Sequence, residues 1–262
     1  MKFALLFFVA CLLVGGCISC SESPSDIQRR GARHYNAGEF SQAVACFRKA
    51  AEKGDAEAQL NLGLCYENGR GVEKNNFEAA KWYRKSAEQG NVYAQINLYG
   101  VYFAAGNARE AMKWLRKAAE AGSVDAQLML GVCYYNGEGV EKNAMEAVKW
   151  FRQAAEQGSS CGQIYLGMCY YNGEGVEKNA REAVKWFRKG IESKKEEGLI
   201  GKVVEKELGG TMQAVGYYFL GACYFIGKGV AVDKEKAKEL WRKAEEQGSE
   251  DATEALRKCF NE

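Results

Sequence analysis

The chain is 262 residues long, 47% apolar and 27% charged, with a net charge of only +2. That balance provides no electrostatic footprint for nucleic acid and excludes it as an expected partner. One proline and thirty glycines predict helices punctuated by glycine turns, without proline-rich linkers.

At the N-terminus, Lys2 precedes the apolar run FALLFFVACLLV. It is as long as a signal-peptide core and too short for an ordinary spanning helix, so residues 1–20 are set aside as an export signal. The VGGC that ends at Cys17 resembles a bacterial lipobox, whose cysteine becomes the lipidated first residue. Val14 and Gly15 depart from the usual leucine and small residue of such boxes. Two routes therefore follow: lipidation at Cys17, which tethers the chain to a membrane, or ordinary cleavage near Ser19 or Ser21. Cys17 and Cys20 form a CxxC, but no second cysteine pair or histidine accompanies it, so no metal is expected there. Residues 21–27 are assigned to a linker and 28–54 to a helical hairpin.

Beyond it the sequence repeats. CYYNGEGVEKNA occurs letter for letter at Cys133–Ala144 and Cys169–Ala180, 36 residues apart, with looser copies from Cys65 and Cys223. Such self-similarity marks a repeat architecture. The units run 55–90, 91–122, 123–158, 159–194 and 213–248. Leu62, Leu98, Leu130, Leu166 and Leu220 align, as do Tyr66, Tyr102, Tyr134, Tyr170 and Tyr224. With Gly63, Gly131, Gly167 and Gly221 they give L-G-x-x-Y, one side of a first helix. The NGxGV stretch supplies a turn with two glycines free to adopt positive φ. Asn75, Asn107, Asn143 and Asn179, each followed three residues later by glutamate, predict capping boxes that start a second helix. That helix carries Ala79, Ala111, Ala147, Ala183 and Ala237, then Trp82, Trp114, Trp150 and Trp186, with Leu240 in the last unit. Gly54, Gly90, Gly122, Gly158 and Gly248 stop the helices.

The joint spacing of L-G-x-x-Y, NGxGV and A-x-x-W in AEAQLNLGLCYENGRGVEKNNFEAAKWYRKSAEQG, Ala56–Gly90, resembles the Sel-one-like repeat, a relative of the tetratricopeptide repeat with a longer inner turn. The likeness covers about Asp55–Gly248. It implies an all-α fold: an α-solenoid, or superhelix, of tetratricopeptide-like hairpins that stack to cover apolar faces none can cover alone. GARHYNAGEFSQAVACFRKAAEKG resembles a tetratricopeptide hairpin and caps the N-terminus; residues 249–262, with DATEALRKCF, form a C-terminal capping helix. Unit two lacks four residues of its turn and has Tyr99 in the glycine column, which predicts a tighter hairpin. Gly190 and the missing terminal glycine of unit four predict an extended or bent helix. The insertion 195–212 is either a solvated spacer or a contact element.

Ten cysteines in an exported chain suggest disulfides, but Cys65, Cys133, Cys169, Cys223 and Cys259 share one column, where cysteine acts as a small buried apolar residue. Exported Hcp-type members of the family carry a cysteine pair that staples successive hairpins. Cys161 and Cys169 have that spacing but lie in one predicted helix, so the staple is not reproduced; pairing of Cys46 with Cys65 stays open. The resemblance also implies the β-lactamase label given to Hcp-type proteins, without residues to support it. His34, the only histidine, falls in the cap hairpin at the position matching the cysteine column, and no serine has a lysine three residues later. No cofactor, metal or catalytic residue is identified.

What remains is a surface. By resemblance the first helices line the concave face, which places Leu60, Ile96, Leu128, Ile164 and Tyr218 there, with Phe103, Tyr135, Tyr171 and Phe225 one step past the tyrosine column. This stripe either receives a protein or peptide partner or packs neighbouring hairpins. The expected function is that of a non-catalytic adaptor in a bacterial envelope. A β-lactam or cell-wall-fragment hydrolase and a secreted host-interacting factor are the alternatives.

Overall fold

A computed structural model describes residues 22–193 and 211–261. The export signal, Cys17 and nearly all of the 195–212 insertion lie outside them. The described residues form thirteen helices and no strand, in two compact units divided after Asn91.

The first unit holds α1 (Pro24–Asn36), α2 (Phe40–Glu52), α3 (Ala56–Asn68) and α4 (Asn76–Glu88). α1 starts four residues before the predicted cap hairpin. Pro24 sits in the first turn and the Ser23 hydroxyl accepts the Asp26 N–H, so part of the assigned linker is helix, with Ile27 fully buried. A Cβ on Gly31 would meet the Phe47 ring at 2.7 Å, and one on Gly63 would meet Tyr83 at 2.5 Å. Matching the two glycines places His34 in the first-tyrosine column beside Tyr66, one position on from the predicted cysteine column.

The second unit comprises α5 (Val92–Ala104), α6 (Ala108–Glu120), α7 (Val124–Asn136), α8 (Ala144–Glu156), α9 (Ser160–Asn172), α10 (Ala180–Glu192), α11 (Met212–Ile226), α12 (Lys234–Glu245) and α13 (Glu250–Phe260). Gly131 and Gly167 receive the buried rings of Phe151 and Phe187, and Gly221 receives Trp241. In the α5–α6 hairpin the volumes are exchanged: Tyr99 fills the glycine place and Leu115 the ring place, both buried. α10 is no longer than α8, each having 13 residues, but the chain leaves it extended at Ser193, where Gln157 after α8 still donates back to the Gln153 carbonyl. Gly190 serves packing instead, since a Cβ there would meet Ile164 at 2.5 Å.

The turns depart from the capping-box expectation in one half. Asn75, Asn107, Asn143 and Asn179 do accept N–H groups of the first turn. The returning bond is absent, because the Asn143 and Asn179 N–H groups donate to the Tyr134 and Tyr170 carbonyls at 2.9 and 3.0 Å. The glutamates pair along the helix, Glu78 with Lys81 and Glu182 with Lys185, each at 3.3 Å.

Two polar devices join hairpins. Arg48 donates to the Tyr66 hydroxyl at 2.8 Å in the first unit; in the second, Arg152 donates to Tyr170 at 2.8 Å, Arg188 to Tyr224 at 2.6 Å, and Arg116 to Tyr134. Each guanidinium also lies against the ring it bonds. Deeper, Gln127 donates to the Ala119 carbonyl at 3.2 Å and accepts from Gln157 at 2.8 Å; Gln59 does the same with Ala51 and Gln89. α13 packs Ala252 and Leu256 on Trp241, with charged residues outward.

Candidate protein-interaction surface

The nine residues predicted for a binding face divide by burial. Leu60 in the first unit is 9% exposed; in the second, Leu128 is 1% and Ile164 0% exposed. These three belong to the interior and offer a partner nothing. Ile96 is half-buried against the core of the second unit. Tyr135 sits 6.2 Å from the Tyr165 ring, and Tyr171 5.4 Å from Phe219, each bridging to the next hairpin while half-buried. Tyr218 and Phe225 both face Trp241. Phe103, 41% exposed, stacks on Tyr99 at 5.4 Å.

Beside these interior positions the first helices carry half-buried apolar side chains. On α7 and α9 they are Met129, Val132 and Met168, all half-buried and apolar. One residue of offset rotates a helix by about 100°, which turns Leu128 inward and Met129 outward. The sequence does not mark this by column, because the position after Leu128 holds Asn61, Asn97, Met129, Tyr165 and Phe219 in successive units, and Tyr165 is itself buried against Phe151.

Charges trim this strip. The Lys228 ammonium lies 3.2 Å from the Tyr171 ring centroid and donates to the Tyr171 carbonyl at 3.0 Å. Burial, and a hydrogen bond with Glu174, push the Tyr135 phenol far above its ordinary pKa; burial raises that of Tyr171. Burial first and Lys178 second lower the pKa of Lys228. Both phenols therefore stay neutral at physiological pH.

The seven described cysteines are unbridged, Cys46 and Cys65 included. Burial pushes the thiols of Cys65, Cys133 and Cys223 up to about 11 and that of Cys169 up to about 12. Cys259 departs from its column: it is exposed. Because the buried thiols ionise later in the folded than in the unfolded chain, they contribute stability below about pH 9 that is lost as pH rises toward 11 and 12. Urea midpoints are expected to fall across that window, with a shallower fall in Cys169→Ala. Thiol titration at pH 8 should leave these four unreactive until denaturant is added; reaction at the native rate of an exposed thiol would contradict their burial. Among the described residues no three His, Cys, Asp or Glu side chains group to hold a metal ion, and no helix is long and apolar enough to cross a membrane.

The sequence model of the Sel1 repeat matches residues 39–55, 56–91, 93–123, 124–159, 162–194 and 214–249. Its first segment falls within the hairpin expected to be a tetratricopeptide-like cap. In solved structures, the chain is similar to a Sel1 repeat protein from Oxalobacter formigenes (30% identity, TM-score 0.74, 90% of this chain and 91% of that one). It is also similar to c5321, a protective antigen of uropathogenic Escherichia coli with an SLR fold (32% identity, TM-score 0.74, 92% of this chain and 50% of that one). Among curated proteins, HcpC of Helicobacter pylori, whose name carries a provisional beta-lactamase label, is 38% identical over 72 residues, 27% of this chain. The match spans 25% of HcpC's own length. Described hairpins, repeat segments and solved relatives agree on a helical solenoid, and the chain belongs to the Sel1 repeat family.

Proposed function

We propose that the chain is a non-catalytic scaffold of the bacterial cell envelope that holds a partner protein on the first-helix face of its second unit. Sel1 repeat proteins generally act as protein-interaction scaffolds. The observation that carries the reading here is the strip Met129, Val132 and Met168, flanked by Tyr135 and Tyr171, on helices whose remaining faces are committed to the core. Methionine and aromatic side chains supply adaptable contact area at low entropic cost. Export and lipidation at Cys17 are part of the proposal, and the description of the E. coli relative as a protective antigen accords with display outside the cytoplasm. The hydrolase alternative gains no residue from the described structure, where the His34 ring shares a 2.5 Å contact with the Glu39 carboxylate.

Crosslinking the tagged chain in its own cells tests this reading. A defined protein should be captured, and capture should fall about tenfold with Met129→Glu/Met168→Glu while the helical circular dichroism is unchanged. Undiminished capture by that variant sinks the proposed face. In the same cells, Cys17→Ser should lose membrane sedimentation; sedimentation unchanged sinks the lipid anchor.

A further inference from the structure

A second site lies in the first unit, independent of that face. Between α1 and α3 a cavity of about 240 Å³ is lined by Gln28, Tyr35, Asn36, Glu57, Asn61 and Leu64, with Phe47 of α2 and Ala32 beside them. Its carboxamides and its carboxylate have no partner among the described residues. Gln28 is only 4% exposed, yet it makes no hydrogen bond to any described residue, in contrast to the fully engaged Gln59. Asn36, Asn61 and Glu57 likewise make none. Asn36 and Glu57 are exposed and Asn61 half-buried, so these groups are open to a ligand entering from solvent, and three carboxamides around one cavity provide both donors and acceptors. The charge is one-sided: Glu57 is the only ionisable lining group apart from the Tyr35 phenol. Tyr35 is already taken, its hydroxyl accepting from Arg70, whose guanidinium covers the ring.

We propose that this cavity receives a basic side chain of an extended peptide. Glu57 takes the ammonium, the carboxamides of Gln28, Asn36 and Asn61 take backbone amides, and Leu64 with Phe47 takes the aliphatic stem. Arg70 fixes the direction, since its cation at the Tyr35 end leaves the Glu57 end for the incoming charge. One to two residues fill such a volume, so a single short peptide shows weak binding.

The test is a titration of the isotopically labelled chain with acetyl-Ala-Lys-Ala-amide, following side-chain amide signals, with acetyl-Ala-Glu-Ala-amide as the charge control. The Gln28 and Asn61 signals should move with the lysine peptide, which should bind about tenfold more tightly than the glutamate peptide. Glu57→Gln should weaken it about tenfold, and Asn61→Asp, which adds a carboxylate, should strengthen it. Unmoved Gln28 and Asn61 signals at millimolar peptide, equal affinity for the two peptides, or affinity unaffected by Glu57→Gln would overturn the proposal. None of these results bears on Met129 and Met168, whose role is read by partner capture.

Discussion

Gly175→Ala is expected to cost about 3 kcal/mol or more, and Gly139→Ala only about 1 kcal/mol, although both glycines sit in the same identical dodecamer. Their backbones are alike, with φ of 70° and 71°. A left-handed conformation charges any alanine about 1–2 kcal/mol, so this component is shared. The surroundings differ. A Cβ on Gly175 would press into the Ala144 carbonyl and stand 2.8 Å from the Met145 nitrogen, at the first turn of α8. Main chain held in a helix cannot withdraw. At Gly139 the nearest atom is Cγ of Met112 at 3.3 Å, and a methionine side chain yields at small cost. The preceding α5–α6 hairpin has the shortened turn, and this places a flexible side chain where α8 offers backbone. Urea denaturation of both variants measures the difference; equal losses would mean that left-handed strain alone governs the turn.

Gly167→Ala is expected to cost about 2–3 kcal/mol, and most of that should return when Phe187→Leu is added. The new Cβ would lie 2.7 Å from two ring carbons of Phe187, which is fully buried and stacked on Phe219 at 5.5 Å. The ring cannot move without disturbing the next hairpin. Leucine removes it, and the chain already contains this solution: Tyr99 opposite Leu115 carries its bulk on the first helix and the smaller side chain on the second. A double-mutant cycle should therefore give a coupling of about 1 kcal/mol or more. Additive losses would show that the glycine and the ring are not one packing unit.

The hairpins were legible because their signals are local and repeated. Glycine at positive φ, asparagine caps and the alanine and tryptophan columns each act within a few residues, and the columns show them several times over. Less legible was whatever depended on a rotation of one residue. Leu128 and Met129 are both apolar and both of their columns vary from unit to unit, so neither hydrophobicity nor repetition decides which faces out. His34 was placed one position off, since only the contact of Gly31 with Phe47 reveals the register of its hairpin. The glutamates of the expected capping boxes were correctly placed in the first turn but bonded elsewhere. The tyrosine carbonyl across the turn reaches the cap N–H first, a pairing no spacing rule contains.

The glutamine line carries a consequence for how the second unit comes apart. Each link needs three helices at once: the Gln127 amide is anchored on α6, borne on α7 and supplied with a donor from α8. If α8 peels away, it strands an acceptor inside its neighbour, so loss of one hairpin raises the free energy of the one before it. Fraying is thereby penalised in a direction that simple apolar stacking would leave neutral. The line stops at Gln163, which donates to Ala155 but whose oxygen is buried without a donor. Ser193 stands where Gln157 stands one repeat earlier, and it bonds the Gly158 carbonyl instead. Beyond α10, where the 195–212 insertion begins, the next hairpin is tied on by ring stacking and the Arg188–Tyr224 bond, without the glutamine line.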